Sequence, residues 1–134
     1  MGTWDVGIWD NDDATEWVNE LSGSRGLDVL RKSLSPAEVN GYYLEAPEGV
    51  RVLCAADTLL AALDLSGSSV PEEISNWAHA HAGLDFRSLV PEAILKTRRV
   101  MSDHSELREL WQEHEELFPT WLARLEAIIK ALGS

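Results

Sequence analysis

The residues best suited to chemistry lie near the start of the chain. The stretch Met1-Gly2-Thr3-Trp4-Asp5-Val6-Gly7-Ile8-Trp9-Asp10-Asn11-Asp12-Asp13 carries two indole rings, four carboxylates and no base. Carboxylates at this density suit either a divalent cation or the positive end of a helix. A readable Ca²⁺ loop alternates its oxygen ligands and adds a glycine and a distal Glu. Here the acids are adjacent and no glycine follows them. Aromatic walls with a few convergent carboxylates also suit a small-ligand pocket. Trp4, Trp9, Asp10 and Asp12 are the candidates from this stretch. Asp57 joins them from the middle of the most apolar segment. A buried carboxylate without a partner is costly. Asp57 is therefore expected to accept from a Trp indole N–H or from amides of the opening loop, the other reading being a solvent-facing groove. Together these five residues define a candidate ligand site between the opening loop and the central helix.

The remaining chemistry-bearing residues predict less. His79 and His81 stand about 160° apart on a regular helix and cannot ligate one metal from it. His104 and His114 lie in an acidic segment without HExxH spacing. No nucleophile elbow, phosphate loop or dinucleotide fingerprint occurs. Cys54 is the lone cysteine, so no internal disulfide can form, and its apolar helical setting points to an inert thiol. No catalytic residue, metal centre or cofactor is predicted.

Helical periodicity dominates the elements that must position these groups. Ala14, Trp17, Val18 and Leu21 recur at i, i+3, i+4 and i+7. Asn11, Asp12 or Asp13 can cap that helix, and Asp13 with Glu16 has capping-box spacing. A short helix around Leu27, Leu30 and Leu34 ends at Ser35-Pro36. Residues 40–47 read as a loop with Tyr42 and Tyr43 partly packed. Residues 48–65 are apolar on nearly every side, which predicts a central buried helix. Pro71 suits the first position of the next helix, followed by Glu72 and Glu73, with Ile74 and Trp77 inward. Pro91 opens another amphipathic helix through Ile94, Leu95 and Met101, and Ser102 or Asp103 can cap the one carrying Leu107, Leu110, Trp111 and His114. Phe118, Trp121, Leu122, Leu125, Ile128, Ile129 and Leu132 form the last, with Gly133 as its stop. The expected fold is all-α: a single compact domain, residues 1–134, of six or seven helices with the irregular N-terminal loop packed on the bundle.

Charge limits the partners. Eleven Lys and Arg against 23 Asp and Glu leave a net charge of −12. That sign opposes nucleic acid and anionic membrane surfaces and favours basic partners. No apolar run approaches the roughly 20 residues of a membrane span, and the start lacks the pattern of a secretory signal. A cytoplasmic protein is the expectation. The acids concentrate in residues 1–20 and 103–116, and the two segments would form one negative surface if they lay side by side. Lys96, Arg98 and Arg99 form the one basic cluster. Tyr42, Tyr43 and Trp77 are candidates for a homodimer contact, so either a monomer or a homodimer is open.

The opening pattern Met1-Gly2-x-Trp4-x-x-Gly7-x-Trp9-Asp10-Asn11-Asp12 resembles the start of the bacterial domain-of-unknown-function family numbered 4259. Members begin Met-Gly-Ala-Trp-Gly-x-Gly-Phe/Pro-Phe-Asp/Glu-Asn-Asp, with Ala and then Trp or Phe in the first helix, where Ala14 and Trp17 stand. Residues 103–111, Asp-His-Ser-Glu-Leu-Arg-Glu-Leu-Trp, are similar to a later segment of that family. Asp5 replaces a usual glycine, and His104 is inserted or substituted before the serine. The resemblance implies a helical fold and a bacterial origin and carries no established activity. The expected function is a non-enzymatic protein-interaction module, immunity-like by analogy of size and charge, with a basic protein as partner. The alternative is a small-ligand or divalent-metal binding domain using the five-residue site.

Overall fold

A computed structural model of the chain describes residues 7–35 and 43–133. Trp4 and Tyr42 lie outside the described residues. Among those described there are seven α-helices and no strand: α1 (Asp12–Ser22), α2 (Asp28–Ser33), α3 (Ala46–Ala62), α4 (Glu72–Ala80), α5 (Val90–Val100), α6 (Glu106–Gln112) and α7 (Phe118–Leu132). A 3-10 turn (Phe86–Leu89) leads into α5. The all-α expectation is met.

Helix α3 is the hub, because it touches all six other helices. Its sequence explains why. Every residue from 52 to 60 is buried, including Cys54, Ala55, Ala56 and Thr58, whose small side chains let neighbours approach on all sides. Thr58 satisfies its hydroxyl by donating to the Cys54 carbonyl at 2.8 Å. Gly49 near the start of α3 lets Leu107 of α6 pack close: a methyl there would sit 3.4 Å from two Leu107 carbons.

The predicted inward faces of α1 and α7 hold, whereas in α5 Leu95 is exposed and Ala93, Lys96, Thr97 and Val100 face inward. Ala14, Trp17 and Leu21 of α1 are fully buried, as are Trp121, Leu125 and Ile128 of α7. Trp77 is buried too, with its indole donating to the Ser24 carbonyl at 2.8 Å, and so is not available as a dimer contact. Tyr43 is exposed at 38%.

Helix ends depart from the sequence expectation by a few residues. Asn11 caps α1, its side-chain oxygen accepting from the Ala14 amide at 2.8 Å. The third helical residue is then Ala14, so the Asp13–Glu16 capping box is not formed; both acids lie inside the helix. Ser105, rather than Ser102 or Asp103, caps α6 by accepting from the Arg108 amide. Pro71 precedes α4 by one residue. The loop expected through Pro47 ends at Glu45, and Pro47 sits in the first turn of α3, where a missing N–H costs nothing. That first turn is tied to α6: Leu44 and Ser105 form an isolated parallel bridge, and the Glu106 carboxylate accepts from the Ala46 amide at 2.8 Å.

Cys54 is fully buried in α3. Burial pushes its thiol well above the ordinary value, and the nearby Asp57 charge adds to this. The native protein is expected to resist a disulfide reagent such as DTNB and to react with one equivalent only on unfolding. Rapid labelling under native conditions would contradict the packing of α3.

Candidate functional site

Two constellations gather the residues singled out in the sequence, and they are separate. The first centres on Asp57. Its carboxylate is fully buried in the middle of α3 and is met from three other segments. The Trp9 indole N–H donates to Oδ2 at 2.8 Å. From the turn after α3, the Ser69 amide donates at 3.2 Å and the Ser69 hydroxyl at 3.1 Å to the same oxygen. Arg124 of α7 brings Nη2 to 3.6 Å of Oδ2, while its guanidinium also donates to Ser69 Oγ and the Gly67 carbonyl, each at 2.6 Å. The expected Trp partner of Asp57 is thus Trp9. The amide partner comes from Ser69 rather than from the opening loop.

Saturation decides what this carboxylate can do. Its donors are an indole, an amide and a hydroxyl, a guanidinium adds an ion pair, and burial leaves no face open to a ligand. The arrangement joins the opening turn, the central helix, the turn at residues 67–69 and the last helix. It is a structural tie of a kind that strongly destabilises a fold when one partner is removed.

The second constellation is an open cleft of about 360 Å³. Gly7, Asp10, Asn11 and Asp13 form one wall, from the opening turn and the start of α1. Leu107, Leu110, Trp111 and His114 form the other, from α6 and the turn beyond it. Ala46 and Val50 of α3 close the end. A hollow of about 40 Å³ shares Gly7, Asn11, Val50, Leu107 and Trp111 with the cleft and reaches inward to Leu53 and Trp121. Trp111 is held by its neighbours, stacking on Trp121 at 6.1 Å with an interplanar angle of 15°. Phe118 stacks on the same Trp121 ring and lies under the Arg108 guanidinium at 5.3 Å.

Gly7 matters to the cleft because Asp10 folds back over it. A methyl group at Gly7 would meet Asp10 Oδ2 at 2.2 Å. Tyr43 secures the outer side of α6, its hydroxyl donating to Glu109 at 2.7 Å. That hydrogen bond to a carboxylate pushes the phenol up to about 12, so Tyr43 stays a neutral donor. A separate depression of about 580 Å³ shares His114 with the cleft and is otherwise lined by Glu113, Glu115, Glu116 and Leu117.

The five sequence candidates therefore divide. Trp9 and Asp57 bind each other and do not line the cleft. Asp10 lines the cleft. Asp12 is exposed at the first position of α1, outside the cleft wall, and Trp4 lies outside the described residues. Among the described residues no group of three His, Cys, Asp or Glu could hold a metal ion.

The sequence marks none of Ser69, Arg124, Val50 and Leu110 as a site residue, Val50 and Leu110 reading only as apolar helix positions. Arg124 carried a faint signal, being a cation set between Leu122 and Leu125 beside the inward stripe of its helix. Leu110 carried none, because a helix face that lines a cleft reads like one that lines a core.

The family model described as Domain of unknown function (DUF4259) matches residues 2–124. The chain belongs to this family. No curated protein and no solved structure matches it. The span matched by the DUF4259 model takes in the opening turn, α3, both walls of the cleft and Arg124. No helix among the described residues is long and apolar enough to cross a membrane.

Proposed function

We propose that this chain is a non-enzymatic interaction module that recognises a basic partner protein. One observation carries the reading: the carboxylates of Asp10 and Asp13 line the same cleft as the apolar side chains of Leu107, Leu110 and Trp111. A neighbouring depression that shares His114 adds Glu113, Glu115 and Glu116. Against a net charge of −12, a positively charged partner gains long-range attraction and faster encounter. The non-enzymatic part rests on availability. The buried carboxylate is fully engaged, and the buried thiol is held protonated, so neither is free to act as base or nucleophile. An immunity-like role, in which such a module neutralises a toxic enzyme, fits the size and acidity of the chain by analogy alone.

The immobilised chain is expected to retain a basic protein from a lysate of its native host at low salt. Release should follow as ionic strength rises and the screening length shortens from about 10 Å at 0.1 M to about 3 Å at 1 M. Recovery of nothing basic overturns the reading.

A second reading is supported by the cleft volume, which falls in the range of small-molecule pockets. A ligand there would be a small organic cation with an apolar body, seated against Trp111. Thermal-shift screening against such cations and against divalent metals tests it, and no shift with any of them removes it.

A further inference from the structure

We propose that the cleft between residues 7–13 and α6 is the docking site for a basic amphipathic segment of the partner, one apolar side chain seated against Leu110 and Trp111 and flanking lysines or arginines held by Asp10 and Asp13. This deepens the basic-partner reading and rests on it. Three observations lead to the occupant. Leu110 is 45% exposed although it forms part of the apolar cleft wall, so a side chain entering there removes apolar surface from water. Asp10 and Asp13 make no ion pair with a Lys or Arg among the described residues, and no Lys or Arg stands among the described residues lining the cleft. A second depression shares His114 with the cleft and is lined by Glu113, Glu115 and Glu116, which sets further carboxylates beside the cleft for a segment carrying more than one cation.

The surface supplies its own control. Leu95 of α5 is 57% exposed and does not line the cleft. If exposed leucine alone attracted ligands, Leu95 and Leu110 would behave alike.

The test follows the amide and indole signals of the isotope-labelled full chain during titration with three sixteen-residue peptides: one of leucine and lysine, one of leucine and glutamate, one of serine and lysine. The leucine–lysine peptide is expected to move Asn11, Leu107, Leu110 and the Trp111 indole first. The other two peptides should bind at least tenfold more weakly. Leu110→Lys should weaken the leucine–lysine peptide by about tenfold or more, whereas Leu95→Lys leaves it within about twofold. Asp10→Asn combined with Asp13→Asn should weaken it by about fivefold, the loss increasing at low salt. Both leucines are exposed, so neither change threatens the fold.

Failures separate cleanly. If neither lysine peptide binds anywhere, the basic-partner reading falls and this site with it. Binding spread over the outer acidic faces and indifferent to Leu110→Lys overturns the site alone. Equal binding of the leucine–glutamate peptide overturns the charge argument and the proposal. A dimer in sedimentation that Leu110→Lys dissociates makes a second copy the occupant. Movement of the signals of residues 1–6 on Leu110→Lys, without peptide, makes the chain's own start the occupant. Either of these last two results also overturns the proposal.

Discussion

Asp57→Ala is expected to lose about 3 kcal/mol of stability, which for a domain of this size is a fall of roughly 10 °C in Tm. The carboxylate is fully buried, accepts from three donors and pairs with one guanidinium. Its removal leaves the Trp9 indole, the Ser69 amide and the Arg124 guanidinium competing for an acceptor that no longer exists. The loss stays below the largest values known for buried pairs because the Arg124 side chain is 21% exposed and recovers some hydration. Asp57→Asn keeps the shape and one acceptor oxygen but turns an amide donor toward donors, and should lose about half as much. Trp9→Phe keeps a ring and removes only the indole N–H, for about 1 kcal/mol. Urea unfolding followed by far-UV circular dichroism measures all three. A double-mutant cycle between positions 9 and 57 then isolates their coupling. A Tm for Asp57→Ala equal to that of the parent would show that this cluster does not hold the four segments together.

Trp17→Ala should be the more damaging change, at about 4 kcal/mol, because it empties a large volume beside the central helix. Trp17 is buried in α1, and its indole donates to the Ser33 hydroxyl of α2 at 2.8 Å. It also packs against Trp9, ring centroids 5.8 Å apart, which links the core to the Asp57 tie. Trp17→Phe separates volume from hydrogen bonding. The smaller ring refills most of the space, and Ser33 Oγ still donates to the Val29 carbonyl at 2.7 Å, so a loss of about 1.5 kcal/mol is expected. The same urea curves decide it. Similar losses for alanine and phenylalanine would mean that the hydrogen bond, rather than the ring volume, dominates at this position.

These two positions also differ in how far the sequence reveals them. Trp17 is legible because it belongs to a run at helical spacing whose inward face is buried together: Ala14, Trp17 and Leu21. The last helix is legible for the same reason. The central helix is legible by the opposite pattern, apolar on every side, which only a surrounded helix can satisfy. Asp57 is conspicuous as a carboxylate inside that helix, and the cost of leaving it unpaired points to a Trp indole or a loop amide as its donor, with a solvent-facing groove as the other reading. Which Trp it would be, and that Ser69 and Arg124 would join, was not readable. Arg124 stands 67 positions from Asp57 (124 − 57), and no local pattern connects residues at that separation.

Helix ends were read less well than helix faces. Asn11, Asp12 and Asp13 are all good capping residues, and one residue of phase decides between them. Ser105 caps α6 because its backbone is drawn into a bridge with Leu44, a contact from a distant part of the chain. The cleft was the least legible feature. Its expected members shared a stretch of sequence, whereas its actual walls come from three segments, and the Asp57 carboxylate expected to complete it is consumed elsewhere.

The sequence by itself determined the helical class, the inward faces of the first and last helices, the central place of residues 48–65 and the excess of negative charge. Each of these is a property of neighbours along the chain: a period, a run or a sum. Only the tertiary structure decided that Trp9 and Asp57 stabilise each other instead of facing a ligand, and that Asp10 opens toward Leu110, Trp111 and His114. Those outcomes depend on which helices meet and on how a buried charge competes for donors. That competition is settled by packing across the whole core and leaves no trace in local spacing.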